Sequence, residues 1–320
     1  MQKLAIGIDI GGQSSKCGVV TKDGTILEQS VVTSLIDSVD EYIELLAGTV
    51  KELIRKTANQ GTVVGIGVGA PNANRIDGTI RYAPNLRWAR DAEGNPCVVN
   101  FAERLIAATG LHVRITNDAN AAARGEHTYG VTRGIDEFIM ITLGTGVGSG
   151  IITHGRLIYG HDGFAGELGH VCVVQGGRQC NCGLKGCLET YASAMGVART
   201  AREFLQNDDR DSLLRKLDPE KISSKDIYEA AVKGDELAKE VFVFTGRILG
   251  HALGDFVKFS SPKAIVLFGG LTKSKEFFHD EMVSAMNDNL MQVWKGKIDI
   301  LYSSLKESDA AILGASSMVW

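Results

Sequence analysis

The sequence predicts an α/β protein built from two halves of similar organisation. Short apolar strands alternate with amphipathic helices along the chain, which is the pattern of sheets covered by helices. A glycine-rich turn follows the first strand of each half. When the two segments are aligned, Gly11 falls on Gly144 and Gly18 falls on Gly150. This internal repeat predicts two α/β lobes that face a cleft.

A similar order of predicted elements appears in both halves. In the first half, a turn at 22–24 joins two strands, a capping-box pattern of Ser38 and Glu41 opens a helix, and further helices open at Asn100 and Asn117. The strands of the first half are predicted at 4–10, 16–21, 25–33, 62–69 and 112–116. Those of the second half are predicted at 138–143, 147–153, 156–159, 264–268 and 298–302. Its helices are predicted at 188–205, 236–259, 275–291 and 309–319.

The composition carries no signature of disorder, nucleic-acid binding or membrane insertion. Of 320 residues, 44% are hydrophobic and 22% are charged, and the formal net charge is −4. Apolar runs are far shorter than the roughly 18 residues of a membrane helix, and no secretory signal is visible. We therefore expect a cytoplasmic protein with reduced cysteines that binds neither nucleic acid nor membrane.

The two glycine turns form the first candidate ligand site. Segment 9–16 can arrange backbone N–H groups and the Ser14 and Ser15 hydroxyls around a phosphate. Asp9, at the end of a buried strand, could hold a hydrated Mg²⁺ ion. Either this turn or the one at 143–150 could be an ordinary hairpin, but two at matching positions favour a phosphate clamp. The chain has no P-loop motif, and no dinucleotide fingerprint in the required context.

Asn117 and Asp118 stand where a predicted strand meets an alanine-rich helix. Either residue could simply cap the helix. Alternatively, a carboxylate at the mouth of the cleft could accept the proton of an attacking hydroxyl group during phosphoryl transfer. One residue can do both jobs only if its side chain points outward, so we assign the cap to Asn117. Asp118 is then the candidate general base.

His170, Cys180, Cys182 and Cys187 have the spacing of a metal site. The glycines between them allow tight loops around a small ion, and one histidine with three cysteines suits structural Zn²⁺. Free thiols beside a core histidine are the alternative. Cys172 is a substitute ligand of lower rank, because it lies in an apolar run.

Two acidic residues flank this loop. If a metal organises it, Glu167, His170 and Glu189 could all point into the cleft and serve as donors and acceptors for sugar hydroxyl groups. Glu189 could instead be a first-turn acid of the predicted helix at 188–205, where the helix dipole favours it.

Eight segments together resemble the ROK family of sugar kinases and sugar-responsive regulators, and they look most like its bacterial glucokinases. In chain order they read GIDIGGQSSK, GVGAPN, YAPNLRW, TNDANAAARGE, LGTGVGSGI, GELGH, CNCGLKGCLETYAS and LFGGL. They extend from Gly7 to Leu271 in the order of the family. The block with GELGH and CLE is highly specific.

The resemblance implies the two-lobed fold shared with actin and hexokinase, a ribonuclease H-like duplication. We expect a smaller lobe at 1–117 plus about 303–320, and a larger lobe with the zinc loop at 118–302. The implied activity is ATP-dependent phosphorylation of a hexose, usually at O6, with Mg²⁺ and structural Zn²⁺. Asp118 matches the catalytic base. The implied hexose ligands are Asn85, Asn117, Asp118, Glu167, His170 and Glu189. The implied nucleotide-binding residues are Asp9, Gly11, Gly12, Lys16, Gly144, Thr145, Gly146, Gly269 and Gly270.

Departures from the family pattern leave the hexose open. Gln13, Asn72 and Arg87 stand where the family usually has Thr, Gly and Pro-Gly. The alternatives are a kinase for N-acetylmannosamine, N-acetylglucosamine, mannose or fructose, and a transcriptional regulator that only binds sugar. Family regulators carry an additional N-terminal DNA-binding domain, for which the strand predicted from Leu4 leaves no room. The resemblance also leads us to expect a homo-oligomer, either a dimer or a tetramer.

Overall fold

The fold is known from a computed structural model that describes residues 2–320. Its strands are β1 (Lys3–Ile10), β2 (Ser14–Thr21), β3 (Ile26–Thr33), β4 (Thr62–Gly69), β5 (Ile80–Arg81), β6 (Val98–Val99), β7 (Val113–Thr116), β8 (Phe138–Leu143), β9 (Val147–Thr153), β10 (Arg156–Leu157), β11 (Ala264–Phe268) and β12 (Asp299–Tyr302). Its α-helices are α1 (Val39–Thr57), α2 (Phe101–Thr109), α3 (Asp118–Tyr129), α4 (Glu189–Ala192), α5 (Ala194–Asn207), α6 (Ser224–Val232), α7 (Glu236–Ser260), α8 (His279–Asp288) and α9 (Glu307–Ser317).

Two five-stranded sheets have the same topology. The first has the order β3-β2-β1-β4-β7 and the second the order β10-β9-β8-β11-β12. In the first sheet β1, β4 and β7 are parallel, and β2 and β3 complete an antiparallel meander. In the second sheet β8, β11 and β12 are parallel, and β9 and β10 form a hairpin. The structure thus confirms the duplication that the two glycine turns predicted.

Some predicted elements have different bounds. The helix predicted at 188–205 is two helices, because Ser193 is extended and its side chain caps α5. The helix predicted at 275–291 begins as a 3₁₀ segment, Gly270–Phe277, and continues as α8. Helix α6, with a capping box of Ser223 and Asp226, was not predicted. Among residues 2–320, none of the helices has both the length and the apolar composition of a membrane span.

The chain forms two compact units. Unit 1 contains the residues up to Asp136, 150–166 and 303–320, and unit 2 contains 137–149 and 167–302. Residues 303–320 are therefore grouped with the N-terminal residues in unit 1. The boundary expected after residue 117 differs, because α3 and residues 150–166 lie in unit 1. Helix α3 packs on α9 of the same unit, which explains its position.

Each unit has its own apolar core. In unit 1, Tyr42 of α1 stacks on Trp88 with ring centroids 4.3 Å apart, and Phe101 of α2 packs beside both. In unit 2, β8 and β11 are buried against α7, whose Leu249 and Leu253 are fully buried. Each unit therefore has a packed core that supports the predicted site residues of that unit.

Helix α9 contacts the first sheet at glycines. A Cβ at Gly7 would overlap the carbonyl oxygen of Ile312, and a Cβ at Gly67 would overlap that of Ala315. Helices α3 and α9 meet in the same way, since a Cβ at Gly125 would lie 2.8 Å from the Cα of Gly314. The sheet, α9 and α3 therefore stack at distances that only glycine permits, and this stack places the start of α3.

We expect Gly67→Ala to destabilise the protein. The new methyl group would overlap main chain rather than a flexible side chain. We therefore expect the free energy of unfolding to fall by about 3 kcal/mol, which is the upper end of the usual cost of overpacking a core. Gly48→Ala is the matched control: it lies within α1 with open space around it, and should gain about 0.5–1 kcal/mol. Urea unfolding of both variants measures this. Equal stability of Gly67→Ala and the parent would contradict the packing.

Candidate functional site

The β1–β2 turn in unit 1 brings several predicted residues together. The Gly11 N–H donates to the carbonyl of Ser14 at 3.1 Å, which closes the turn, and Asp9 lies opposite Lys16 in the strand register. Gly12 lies against Asn85, since a Cβ there would be 2.7 Å from the carbonyl oxygen of Asn85. The turn and the exposed Asn85 are therefore neighbours, although 73 positions separate Gly12 from Asn85.

Ser15 does not contribute to this turn as the sequence predicted. Its hydroxyl is fully buried and hydrogen-bonds the Tyr42 hydroxyl at 2.6 Å and the Ser34 hydroxyl at 2.9 Å. Because side chains alternate along β2, Ser15 points into the core. The prediction that its hydroxyl is available to a phosphate is wrong.

Helix α3 presents Asp118 at its first position. The Asn117 carbonyl oxygen Oδ1 accepts from the Ala119 N–H at 2.8 Å, which confirms Asn117 as the cap. Asp118 is an exposed residue, and its Oδ1 accepts from the same N–H at 2.8 Å. The protein that surrounds the carboxylate raises the pKa of Asp118, and this backbone N–H opposes the shift. Asp118 thus combines hydrogen bonding to the backbone with an increased proton affinity.

Asp9 and Asp118 are close enough to influence each other. The pKa of Asp9 is raised to about 6, first by burial and then by the charge of Asp118, while the charge of Lys16 opposes both. Two carboxylates beside one lysine leave net negative charge at this place in unit 1. A cation would relieve that charge, so the pair fits a divalent metal such as Mg²⁺.

The second glycine turn, in unit 2, is held by Glu189. The Gly144 N–H donates to the Gly146 carbonyl at 3.0 Å, and the Val147 N–H donates to Glu189 Oε2 at 3.1 Å. Gly146 leaves the space that this carboxylate occupies. Glu189 is the first residue of α4, so the helix-terminus alternative describes its position correctly. Thr145 is exposed at the tip of the turn.

Gly269 brings the end of β11 to the same turn. It has φ of 108°, and a Cβ there would lie 2.6 Å from the carbonyl oxygen of Leu143, the residue before Gly144. The Thr272 hydroxyl donates to the Gly269 carbonyl at 2.7 Å. Gly269 therefore lies beside the second glycine turn, and Gly270 begins the 3₁₀ segment that follows.

Glu167 and His170 lie at the two ends of a single 3₁₀ turn. The His170 N–H donates to the Glu167 carbonyl at 3.1 Å, and the Leu168 N–H donates to the Ser149 hydroxyl at 3.1 Å. Between them Gly169 packs directly on the main chain of Val147. This turn is therefore anchored to the start of β9, beside the second glycine turn.

The predicted metal ligands form one cluster. The ligating atoms of His170, Cys180, Cys182 and Cys187 all lie within 4.8 Å of one another. Cys180 Sγ is 3.8 Å from His170 Nδ1, and the sulfurs of Cys182 and Cys187 are 3.7 Å apart. Sulfur ligands about 2.3 Å from a tetrahedral zinc ion are about 3.8 Å apart, so this cluster fits Zn²⁺. Cys172 is not part of it.

Glycines permit the loop that carries these cysteines. Gly183 and Gly186 have φ of 92° and 78°, in the left-handed region. A Cβ at Gly186 would also overlap the carbonyl oxygen of Val174. Crowding has a chemical consequence, since burial and then the neighbouring thiols raise the pKa of Cys187 to about 12. A bound divalent cation would lower the pKa of these thiols, because it binds the thiolate form.

Two of the three departures from the family pattern have a structural explanation. Asn72 has φ of 52°, which glycine and asparagine adopt more easily than other residues, and its amide donates to the Tyr82 carbonyl at 3.3 Å. Arg87 pairs with Asp37, with 2.9 Å between Nη2 and Oδ1. The guanidinium of Arg87 is therefore engaged with another residue of unit 1. Gln13 is exposed, and nothing in the structure explains its substitution.

Arg178 is a buried cation that no motif distinguishes. It retains 7% of its possible exposure and contacts five residues of the helices that follow the metal cluster. The hint in the sequence is a long charged side chain two positions before Cys180, in a segment otherwise rich in glycine.

Similar proteins are known over nearly the whole chain. The family model described as "ROK family" matches residues 5–320. The chain is similar to the glucokinase of Thermotoga maritima, with 35% identity over 324 residues that cover 100% of this chain and 98% of the relative. It resembles the crystal structure of a ROK family glucokinase from Streptomyces griseus in complex with glucose and AMPPNP, with TM-score 0.77, 31% identity and 98% of each chain covered.

A regulator has the same fold. The crystal structure of a ROK family transcriptional regulator, a homolog of the E. coli MLC protein, superposes with TM-score 0.87 at 24% identity. The match covers 100% of this chain and 78% of the regulator. At this identity the likeness concerns the fold alone.

We expect Asp9→Asn to stabilise the protein more at high pH than at low pH. The folded protein raises the pKa of Asp9 from 3.8 to about 6, so the folded state favours protonated Asp9. The stability that Asp9 contributes at low pH is therefore lost as the pH rises from 3.8 through about 6. Asparagine cannot ionise. The stability of the variant relative to the parent should therefore increase by about 1 kcal/mol between pH 5 and pH 8. Urea unfolding at both pH values measures it, and an unchanged difference would contradict the shift.

Proposed function

The chain belongs to the ROK family, and we propose that it is an ATP-dependent glucokinase, which converts glucose and ATP to glucose 6-phosphate and ADP. It has the two-domain fold shared with actin and hexokinase. The observation that carries the proposal is the full-length similarity to a glucokinase, at 35% identity. The pair of Asp9 and Asp118 in unit 1 supports it, because phosphoryl transfer to a hydroxyl group needs a base and a cation site.

Asp118 is the general base of the proposed reaction. It accepts the proton of the C6 hydroxyl of glucose while the oxygen forms a bond to the γ-phosphorus of ATP. The bond from the γ-phosphorus to the bridging oxygen breaks, and ADP leaves. The raised pKa of Asp118 brings its proton affinity closer to the working pH, where a general base is most effective.

The nucleotide-binding groups are proposed from both glycine turns. The N–H groups of Gly12 and Gly146 would bind phosphate oxygens, whereas Gly11 and Gly144 would close the turns that present them. Thr145 and Lys16 would add a hydroxyl group and a charge. Gly269 and Gly270 would receive the adenosine. Asp9 would hold Mg²⁺ through its water shell, and the ion, when bound, neutralises charge on the phosphates.

The proposed hexose ligands offer donors and acceptors on short, rigid segments. Asn85 and Asn117 lie beside the first turn and at the cap of α3, and Glu167 and His170 share one 3₁₀ turn. Glu189 Oε2 is already engaged with Val147, which fixes the direction of its carboxylate. These side chains would orient the ring so that the 6-hydroxyl is placed for attack.

Zinc is proposed as a structural ion in unit 2. His170 Nδ1 faces Cys180, so the metal would take this nitrogen and leave Nε2 for a sugar hydroxyl. Glu189 Oε1 lies 3.7 Å from Cys180 Sγ, which links a second hexose ligand to the same cluster. The zinc ion would therefore act on substrate binding through these two residues.

Other members of the family remain the second candidates. A kinase for N-acetylmannosamine, N-acetylglucosamine, mannose or fructose would use the same base and the same phosphate turns. A sugar-binding regulator is the weaker candidate, since the similar regulator shows the fold alone. We also propose that the enzyme is cytoplasmic, that it binds neither nucleic acid nor membrane, and that it forms a homo-oligomer.

A panel of hexoses tests the proposed function. In an ADP-coupled assay with ATP and Mg²⁺, glucose should give the highest kcat/KM among glucose, mannose, fructose, N-acetylglucosamine and N-acetylmannosamine. Asp118→Asn should lose at least about 100-fold in kcat, the lower end for a general base, while glucose still binds in calorimetry. Turnover of no sugar, or full activity of Asp118→Asn, would refute the proposal or the role of the base.

Metal analysis tests the zinc site. Purified protein should contain about one zinc ion per chain, and Cys182→Ser should lose it together with glucose affinity. Cys172→Ser is the matched control, because Cys172 is equally exposed but lies outside the cluster. Active protein without zinc, or loss of zinc in Cys172→Ser, would contradict the assignment.

A further inference from the structure

Arg178 joins the segment before the cysteines to the helices after them. It stands two positions before Cys180, and its guanidinium donates to the carbonyl of Thr190 at 2.7 Å and to that of Gly196 at 3.3 Å. It also donates to the Thr200 hydroxyl at 2.9 Å. We define residues 170–187 as the metal loop. The side chain of Arg178 ties this loop to Thr190, which immediately follows Glu189.

The surroundings of Arg178 fix both its side chain and its main chain. The guanidinium carbon lies 4.4 Å from the ring centroid of Tyr191, and the Tyr191 hydroxyl accepts from the Arg178 N–H at 3.0 Å. The charge is balanced by Glu203, which is paired with both Arg178 and Arg199. Partial burial by itself would raise the pKa of Glu203, but the hydrogen bonds from Arg178 and Arg199 outweigh it and lower that pKa. The guanidinium is therefore held on several sides.

Stability alone does not account for this arrangement. A buried ion pair is weak evidence for stability, because desolvation offsets much of the attraction, and apolar replacements are often neutral or stabilising. A guanidinium fixes direction, however, since its planar fork of donors satisfies several acceptors in one geometry. Here these acceptors lie on α4 and α5, and the arginine belongs to the metal loop.

We propose that Arg178 is a positioning residue that holds the metal loop against α4 and α5, and so sets both metal retention and the direction of Glu189. The effect on metal retention stands on the cluster itself. The effect on the hexose rests on the proposed function, because it acts through Glu189 and His170. The hydrogen bonds of its side chain go to α4 and α5, so Arg178 acts through the loop.

Two variants separate positioning from folding. Arg178→Lys keeps a positive charge beside Glu203 but loses the fork of donors. Arg178→Met combined with Glu203→Leu removes both charges, so the half-exposed carboxylate of Glu203 is not left without its arginine partner. The control is Arg55→Lys on α1, an exposed arginine that pairs with Glu52 at 2.7 Å.

Zinc retention is the first measurement. Each protein is loaded with Zn²⁺, and release to a chromogenic chelator is followed at a fixed temperature below the unfolding transition of all variants. We expect release about 10-fold faster in both Arg178 variants, the lower end for residues that support metal ligands, and parent rates in Arg55→Lys. Parent release rates in folded Arg178 variants, or a parent that binds no Zn²⁺, would overturn the proposal.

Steady-state kinetics is the second measurement. The KM for glucose should rise about 10-fold in the Arg178 variants, while the KM for ATP stays within about twofold. A purely structural role would instead lower the amount of active protein and leave both KM values unchanged, which would overturn the positioning of Glu189. If the parent phosphorylates no hexose, the proposed function fails, and the zinc measurement still decides whether Arg178 holds the metal loop.

Discussion

The backbone of α9 lies on the central strands of the first sheet at a distance that excludes any side chain. Gly7 in β1 and Gly67 in β4 provide that surface, and Gly125 and Gly314 repeat the arrangement where α3 meets α9. Asp9 comes two residues after Gly7, and Asp118 begins α3. The mutual influence of these two carboxylates is therefore a consequence of glycine packing, since any larger residue would move the helix that carries one away from the strand that carries the other.

Unit 2 uses the same close approach of main chain for a different purpose. Gly146, Gly169 and Gly269 let a carboxylate, a 3₁₀ turn and the end of β11 converge on the second glycine turn. Glu189 connects that turn to the metal cluster, with one oxygen on the Val147 N–H and the other near Cys180. A change in the metal loop would therefore reach the turn through Glu189, and Arg178 holds the same loop against α4 and α5.

Features encoded over short distances in the chain could be predicted from the sequence. The metal cluster spans 18 positions, and its residue types and spacing identified all four members; the cap at Asn117 and the two hairpins are local as well. Features that depend on tertiary packing could not be predicted. Ser15 lies in the predicted turn segment but bonds Tyr42, 27 positions away, and α3 belongs to unit 1 because it packs on α9. The role of Arg178 could not be predicted for the same reason, because its acceptors lie on helices that follow the loop.

The pair of carboxylates also bears on how base and cation would work together in the proposed reaction. Burial and the charge of Asp118 raise the proton affinity of Asp9, and the protein around its carboxylate raises that of Asp118, so each favours holding a proton. A general base must begin ionised, however, and a cation held by Asp9 would favour the ionised form of both groups. The protein around its carboxylate would keep Asp118 basic enough to take the proton of an attacking hydroxyl group, whereas the cation would keep it free of a proton beforehand. The short distance between the two carboxylates makes their joint ionisation unfavourable in the absence of a cation. The same distance would couple binding of the metal nucleotide to ionisation of the base.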